Sequence, residues 1–465
     1  MTQLAEMRAA SFALLIWASA QRSLARRSAC VFLATALLGA GIAQAADEDF
    51  HVFTDSPRLF LTKQRLRLLQ RERQRDSVRW AQFDALVAGG APMPETPLAQ
   101  ALYYQVSGNA AAGKKAVEWA LSAPATDLRI LSLVFDWCKS AMSDSQADTL
   151  AAKIEREIGA PASDVAHQAA RALAAIAIAD NLKDHGESIL RPLVEDWWRG
   201  NAVKSPIPRE QTYSLLELLH ALNDNVSVDL RESAPDAFKD LPIDLLMGHY
   251  PAPFRGPDND FLVPIFAGAG EPDPAQAVWS RAAGLALVAL DPNSHEVQYL
   301  QGWLIQDRYM MRDPLGCLYE FLWANPYQPG LSYDLLPLVF HDAFTGRVFA
   351  RTSWDEDATW IGYFDGHLQV FRDGKLETLR PGAATKPVRV GDAVLLSAPA
   401  PEADGSLRFM AETEVTVVLG LAPRTNYDLE IDDEELSEGG TDAGGTLVVT
   451  LPPETQAGAR IRQRP

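Results

Sequence analysis

The side chains that could move protons fall in two short stretches. In the first, Tyr213, Glu217 and His220 are spaced four and three apart, and Asn223 follows three later. On a helix that spacing lines one face, so the group suits acid/base chemistry. The plainer alternative is a polar helix end with His220 tied to Glu217. In the second, His249-Tyr250 heads a stretch rich in Pro, Gly and Asp that runs to Pro274 and holds Arg255 and Asp258-Asn259-Asp260. A His-Tyr pair beside an arginine offers a proton acceptor, a proton donor and an anion holder. A loop of that length inside a compact domain is usually functional or structured. Trp323, Tyr327, Tyr333 and His341 gather further on, with Trp354 beyond. Rings at such a place either stack on a ligand or seal an interface.

Other chemistries lack their signatures. No phosphate-binding glycine loop, dinucleotide fingerprint or Gly-x-Ser-x-Gly elbow occurs. The eight histidines are scattered rather than set at zinc spacing. No cofactor is expected and no metal ligands are assigned; whether a divalent ion sits in the β domain is open.

These residues need elements to hold them. The chain has 465 residues, 47% hydrophobic and 22% charged, enough for two or three self-supporting cores. From about residue 62 to 325 the apolar spacing is helical, with Thr, Ser or Asp opening successive segments as caps. Beyond about residue 345 the pattern alternates as in short strands, and Asp373-Gly374 stands where a tight hairpin belongs. The expected organisation is a helical domain over 46–340 and an antiparallel β-sandwich over 341–465. The junction between them is a natural place for a cleft. Residues 58–79 hold eight Lys and Arg, and 402–442 are strongly acidic. Cys138 and Cys317 lie in apolar helical contexts and are expected as buried thiols.

Residues 1–45 read as a secretory signal: Arg26-Arg27, an apolar run from Ala29 to Ile42, then Ala43-Gln44-Ala45. The protein is therefore expected in the periplasm or outside the cell, without stable membrane insertion after cleavage. The whole chain carries a net charge of -19; beyond residue 45 it holds 38 basic and 60 acidic side chains, a net of -22. That balance argues against nucleic acid as a partner. The oligomeric state is open.

The stretch Gly346-Arg347-Val348-Phe349-Ala350-Arg351-Thr352-Ser353-Trp354, continuing through Asp357-Ala358-Thr359-Trp360, resembles the start of the β domain in the heparinase II/III and alginate lyase group. The order of helical and β parts resembles it too. The resemblance implies an α/α toroid before an antiparallel β-sandwich, and β-elimination on an acidic polysaccharide or oligosaccharide. For that chemistry this sequence offers His249, Tyr250, His220 and Tyr213 as catalytic candidates. Asn223, Arg255, Trp323, Tyr327 and His341 would bind substrate. Two departures stand out. Gln211-Thr212-Tyr213 replaces the Asn-His pair of such lyases, and Asp365-Gly366 makes a tight turn where they carry a His-rich loop, leaving His367 alone. The alternative is a non-catalytic, glycan-binding or scaffold relative in the cell envelope.

Overall fold

The computed structural model describes residues 49–162, 164–254, 272–306, 314–380, 386–412, 414–432, 435–452 and 455–464. The expected signal segment, Arg255 and Asp258-Asn259-Asp260 lie outside them. Phe50–Pro465 forms one compact unit.

Helices occupy the first part: α1 Lys63–Gln74, α2 Val78–Ala88, α3 Thr96–Ser107, α4 Ala110–Leu121, α5 Leu128–Cys138, α6 Asp144–Ile158 and α7 Val165–Ala177. The series continues with α8 Glu187–Pro192, α9 Thr212–Val226, α10 Pro235–Lys239, α11 Leu241–Met247, α12 Pro274–Leu290, α13 His295–Gln306 and α14 Pro314–Trp323. The capping residues act as their types require. Thr62 accepts from the Arg65 amide, Asp127 from Ile130, and Ser143 forms a reciprocal box with Gln146.

Contacts run α3 to α5 to α7 to α9 to α12 to α14 to α2 and back to α3, so these helices close a ring. Helices α4 and α6 connect successive ring members from outside: α4 packs on α3 and α5, and α6 on α5 and α7. This explains why α9 is buried nearly all round, with Leu215, Leu216, Leu218, Leu219 and Leu222 inaccessible. It has ring neighbours on both sides.

The segment before α1 is fastened to the ring by Asp136 of α5. Its Oδ2 accepts the Arg58 and Leu59 amides, each at 2.9 Å, while Trp137 donates to the Leu59 carbonyl at 2.8 Å. Burial pushes the Asp136 carboxyl up from 3.8 to about 6, against these donors. A folded-state value above the unfolded one favours folding at low pH and loses that contribution as pH rises through about 6. Asp136→Asn is therefore expected to gain stability relative to the parent between pH 4 and 6, as read from urea midpoints at each pH. An unchanged difference across that window would contradict the shift.

Thirteen strands are described after the helices: β1 Val339–Asp342, β2 Arg347–Arg351, β3 Trp360–Phe364, β4 His367–Arg372, β5 Lys375–Leu379, β6 Val388–Val390 and β7 Ala393–Ser397, then β8 Leu407–Glu412, β9 Val415–Leu419, β10 Asn426–Ile431, β11 Glu435–Gly440, β12 Leu447–Thr450 and β13 Gln456–Gln463. Strands β1 to β5 make a meander; the others form two four-stranded sheets ordered β11-β10-β13-β8 and β12-β9-β7-β6. All pairings are antiparallel except β7 with β9, where β8 lies in the other sheet between them in sequence.

Asp365-Gly366 and Asp373-Gly374 turn β3 into β4 and β4 into β5, with positive φ at all four residues. Two consecutive left-handed residues are what a two-residue hairpin of the favoured twist demands.

The first sheet shares the helical core. Phe349, Trp360, Phe364 and Phe371 belong to the same buried cluster as the ring helices. Ala411, Val418, Tyr427, Leu429, Leu447, Val449 and Ile461 form a separate core with strands from both four-stranded sheets. Cys138 and Cys317 are both buried. Among the described residues no helix is long and apolar enough to cross a membrane.

Candidate functional site

The structure divides the expected residues between two polar clusters. The first lies where the N-terminal ends of ring helices meet; there the Val165 amide of α7 donates to the Gln211 side chain at the head of α9. Arg129, in the first turn of α5, is its centre. Its Nε and Nη2 donate to both oxygens of Glu217, each at 2.7 Å, and its Nη1 to Glu95, beside α3, at 2.9 Å. Nη2 also donates to the Tyr319 hydroxyl at 2.8 Å, and that hydroxyl donates to Glu95. Tyr213 packs edge-on to Tyr319, and its hydroxyl takes a hydrogen bond from Trp323 at 2.9 Å.

Two carboxylates around one guanidinium leave a surplus negative charge in a desolvated place. Burial, with Glu95 adding to it, holds the Glu217 carboxyl above its ordinary value although Arg129 opposes it. Burial pulls Arg129 down, yet Glu217 and Glu95 overcome it and hold the guanidinium well above its usual range. Both directions express one preference: the cluster gains by keeping an extra proton. Tyr213 and Tyr319 are pushed well above 10, by burial first, and stay hydrogen-bond donors.

The helix face expected from the sequence forms only in part. Tyr213 and Glu217 share this network. His220 does not pair with Glu217, whose oxygens face Arg129. Its Nε2 meets the Ala286 carbonyl at 2.9 Å, and its ring lies 4.6 Å from that of Trp323. Burial, then Arg65, brings His220 down to about 3, so it is neutral. Asn223 is exposed one turn on, with Asp224 3.5 Å away.

The second cluster lies where α11 packs against β1 and β2 on one side and against α12 and α13 on the other. Met247, at the end of α11, accepts from Trp360 of β3 at 2.8 Å. His249 follows after Gly248. Its Nδ1 meets the Leu245 carbonyl at 2.7 Å, and its ring lies 4.6 Å from Trp303. Burial lowers His249 to about 3, helped by the positive charges of Arg209, Arg281 and Arg351.

Each guanidinium is placed by a different element. Arg209 lies against Gly248, where a Cβ would come within 2.5 Å of its Nη atoms. Asp244 accepts from Arg209 and from Arg347 of β2, each at 3.1 Å. Arg281 of α12 pairs with Glu320 at 3.1 Å and donates to the Leu304 carbonyl. Arg351, at the end of β2, is 4% exposed, its Nε has no hydrogen-bond partner, and no carboxylate among the described residues pairs with it. Its guanidinium sits 4.5 Å over Trp354, and burial lowers it to about 10.

Tyr250 is fully buried. Its hydroxyl donates to Gln369 of β4 at 3.3 Å, and its ring stacks on Phe371 at 4.9 Å. Tyr327 and His341 stand elsewhere. Tyr327 is half exposed and donates to Glu72 at 2.5 Å. His341 of β1 meets Asp442, before β12, at 2.6 Å. Trp354 packs edge-on to Tyr333, 5.2 Å away.

Sequence reasoning missed Arg129, Glu95, Tyr319, Arg209, Arg281 and Arg351. Arg351 stands in the very stretch that carries the family resemblance. Nothing local marks Arg129, which reads as an ordinary residue after a cap. Among the described residues no group of three or more His, Cys, Asp or Glu is placed to hold a metal ion.

No protein-family model matches the chain, and no curated protein does. Among solved structures it is similar to a heparan sulfate lyase, HepC, from Pedobacter heparinus, at 11% identity and a TM-score of 0.35, over 78% of this chain and 74% of that one. It is also similar to a glycoside hydrolase at 9% identity and a TM-score of 0.32, over 89% of this chain and 76% of that one.

Proposed function

We propose that this chain is an exported carbohydrate-active protein that takes an acidic glycan at the helix–sheet junction and cleaves it by β-elimination. The observation that carries this reading is a buried histidine, His249, held by the Leu245 carbonyl beside Arg209, with buried Arg351 unpaired by any carboxylate among the described residues; the arginines help burial to lower His249. The C5 proton of a uronate is weakly acidic until its carboxylate is neutralised, and fixed positive charge in a desolvated site does that strongly. Arg351, buried without an acidic partner, supplies charge that a bound carboxylate would compensate.

With Nδ1 donating to the Leu245 carbonyl, the lone pair of His249 rests on Nε2. A carboxylate among the arginines would oppose their field and raise the imidazole towards a useful basicity. The C5–H bond then breaks with its proton passing to Nε2. The electron pair forms the C4–C5 double bond, and the C4–O bond breaks. The leaving oxygen takes a proton, for which Tyr250 is the candidate donor. Export rests on the signal-like residues 26–45.

One observation favours the non-catalytic alternative: Tyr250 is locked by Gln369 and stacked on Phe371. The two readings separate when the purified full chain is incubated with heparin, alginate and polygalacturonate and the absorbance of the unsaturated product is followed. The lyase reading expects product from at least one polymer and its loss in His249→Ala and Tyr250→Phe. Binding without product across the panel establishes the alternative.

A further inference from the structure

Helix α1 is arranged as a cationic line. Lys63, Arg67 and Arg71 are four apart, and Arg75 caps the helix four further on. All four are exposed, and none has a carboxylate partner among the described residues. Their neighbours are engaged: Arg65 donates to the Leu322 and Trp323 carbonyls, Arg73 to the Val106 carbonyl, and Arg79 to Glu72. Each four-residue step advances about 6 Å, so the line is about 18 Å long and winds slowly round the helix.

The line works against the helix that carries it. Like charges four apart repel. Lys63 and Arg67 near the N-terminus also oppose the helix dipole with no acid in the first turn to offset them, whereas Arg71 and Arg75 at the other end favour it. It also stands out on a chain of net charge -19.

The line ends at a recognition-like feature. The Arg75 guanidinium lies 5.5 Å over the ring of Tyr327. Tyr327 walls a shallow cavity of about 310 Å³ with Ile305, Pro326 and Pro329, and both Tyr327 and Ile305 are exposed. A row of evenly spaced cations suits a linear polyanion, and a tyrosine-walled hollow suits the apolar face of a pyranose ring.

We infer that Lys63, Arg67, Arg71 and Arg75, with the Tyr327 cavity, form a second binding surface for an extended acidic glycan strand, separate from the junction around His249. The choice of a glycan rests on the reading under Proposed function; the surface itself does not.

The test uses the full chain and a variant carrying Lys63→Gln, Arg67→Gln, Arg71→Gln and Arg75→Gln, with affinity for long-chain heparin measured across a salt series. Each neutralised contact releases counterions, so the slope of log affinity against log salt is expected to fall by roughly three to four in the variant. Tyr327→Ala is expected to weaken binding several-fold with little change in slope. The four-residue variant should melt at or above the parent, since it relieves like-charge repulsion, and Tyr327→Ala somewhat below it, since it loses the hydrogen bond to buried Glu72, so binding is compared well below both transitions. An unchanged slope overturns the proposal, as does tighter, stripe-dependent binding of single-stranded DNA at equal chain length and salt. Turnover of a heparin tetrasaccharide, as distinct from its binding, reports on the junction, where the chemistry is proposed to occur. Loss of turnover with long-chain binding intact would therefore count against the lyase reading and leave this surface standing.

Discussion

Arg129→Ala is expected to destabilise the protein by about 3–5 kcal/mol, the cost of breaking a buried ion pair by removing one partner. The magnitude follows from what stays behind. Glu217 is inaccessible and would lose both of its guanidinium bonds, while Glu95 and Tyr319 would lose one each. A void between α3, α5 and α9 would add to the loss. Urea titration followed by tryptophan fluorescence measures it. Adding Glu217→Gln should recover part of the stability, because the stranded charge goes with it. The same pair carries a pH signature. Glu217 is raised in the folded state, so its contribution is present at low pH and is lost as pH rises through the folded value. The penalty of Arg129→Ala should accordingly shrink on acidification, when the orphaned carboxyls can protonate. A loss below about 1 kcal/mol at neutral pH would place the pair with exposed ion pairs and contradict the geometry.

Arg351→Met is expected to do the reverse: leave stability unchanged or improve it, and lower kcat/KM on an acidic glycan by about 100- to 1,000-fold. A buried guanidinium with no carboxylate partner is a cost to the fold, seen in its descent to about 10. Replacing it with an apolar side chain of similar length removes that desolvation while keeping contact with Trp354. If the charge is there to meet a uronate carboxylate, the loss falls on the reaction, and most heavily on kcat. Melting temperature and initial rate on one preparation test both halves. A variant that melts lower and turns over normally would make Arg351 a packing residue. If the protein only binds, the same substitution should raise the dissociation constant for a uronate-bearing tetrasaccharide by a comparable factor.

Local chemistry made much of the fold legible. Thr62, Asp127 and Ser143 are caps because their short side chains reach the free amides of a first turn. The two Asp-Gly turns follow from the left-handed conformations such turns require. Strands with continuous apolar runs, such as β3 and β9, were evident. Others were not: β13 alternates in burial, but its inward residues are mostly alanines between arginines and glutamines, and β11 is largely Glu, Ser and Gly. Such strands are defined by their partners in the sheet.

The sites were less legible than the fold. Tyr213, Glu217 and His220 share a helix, and their spacing proposed a common face. That face is split because Arg129, 88 positions from Glu217, takes the carboxylate while Ala286 takes the imidazole. His249-Tyr250 was found from its type and its place before a long loop; the arginines around it were not. They come from the segment before α9, from α12 and from β2, brought together only by closure of the ring and by docking of the first sheet.

Composition, hydrophobic period, caps and turns act within a few residues, so a helical part, a β part and the change of period near residue 345 could be read from the chain. So could the cationic line on α1, since one helix spaces those residues. Which charges lie buried, which carboxylates share a guanidinium and which histidine lies near three arginines depend on long-range contact and desolvation, and these emerge once the ring closes and the first sheet docks.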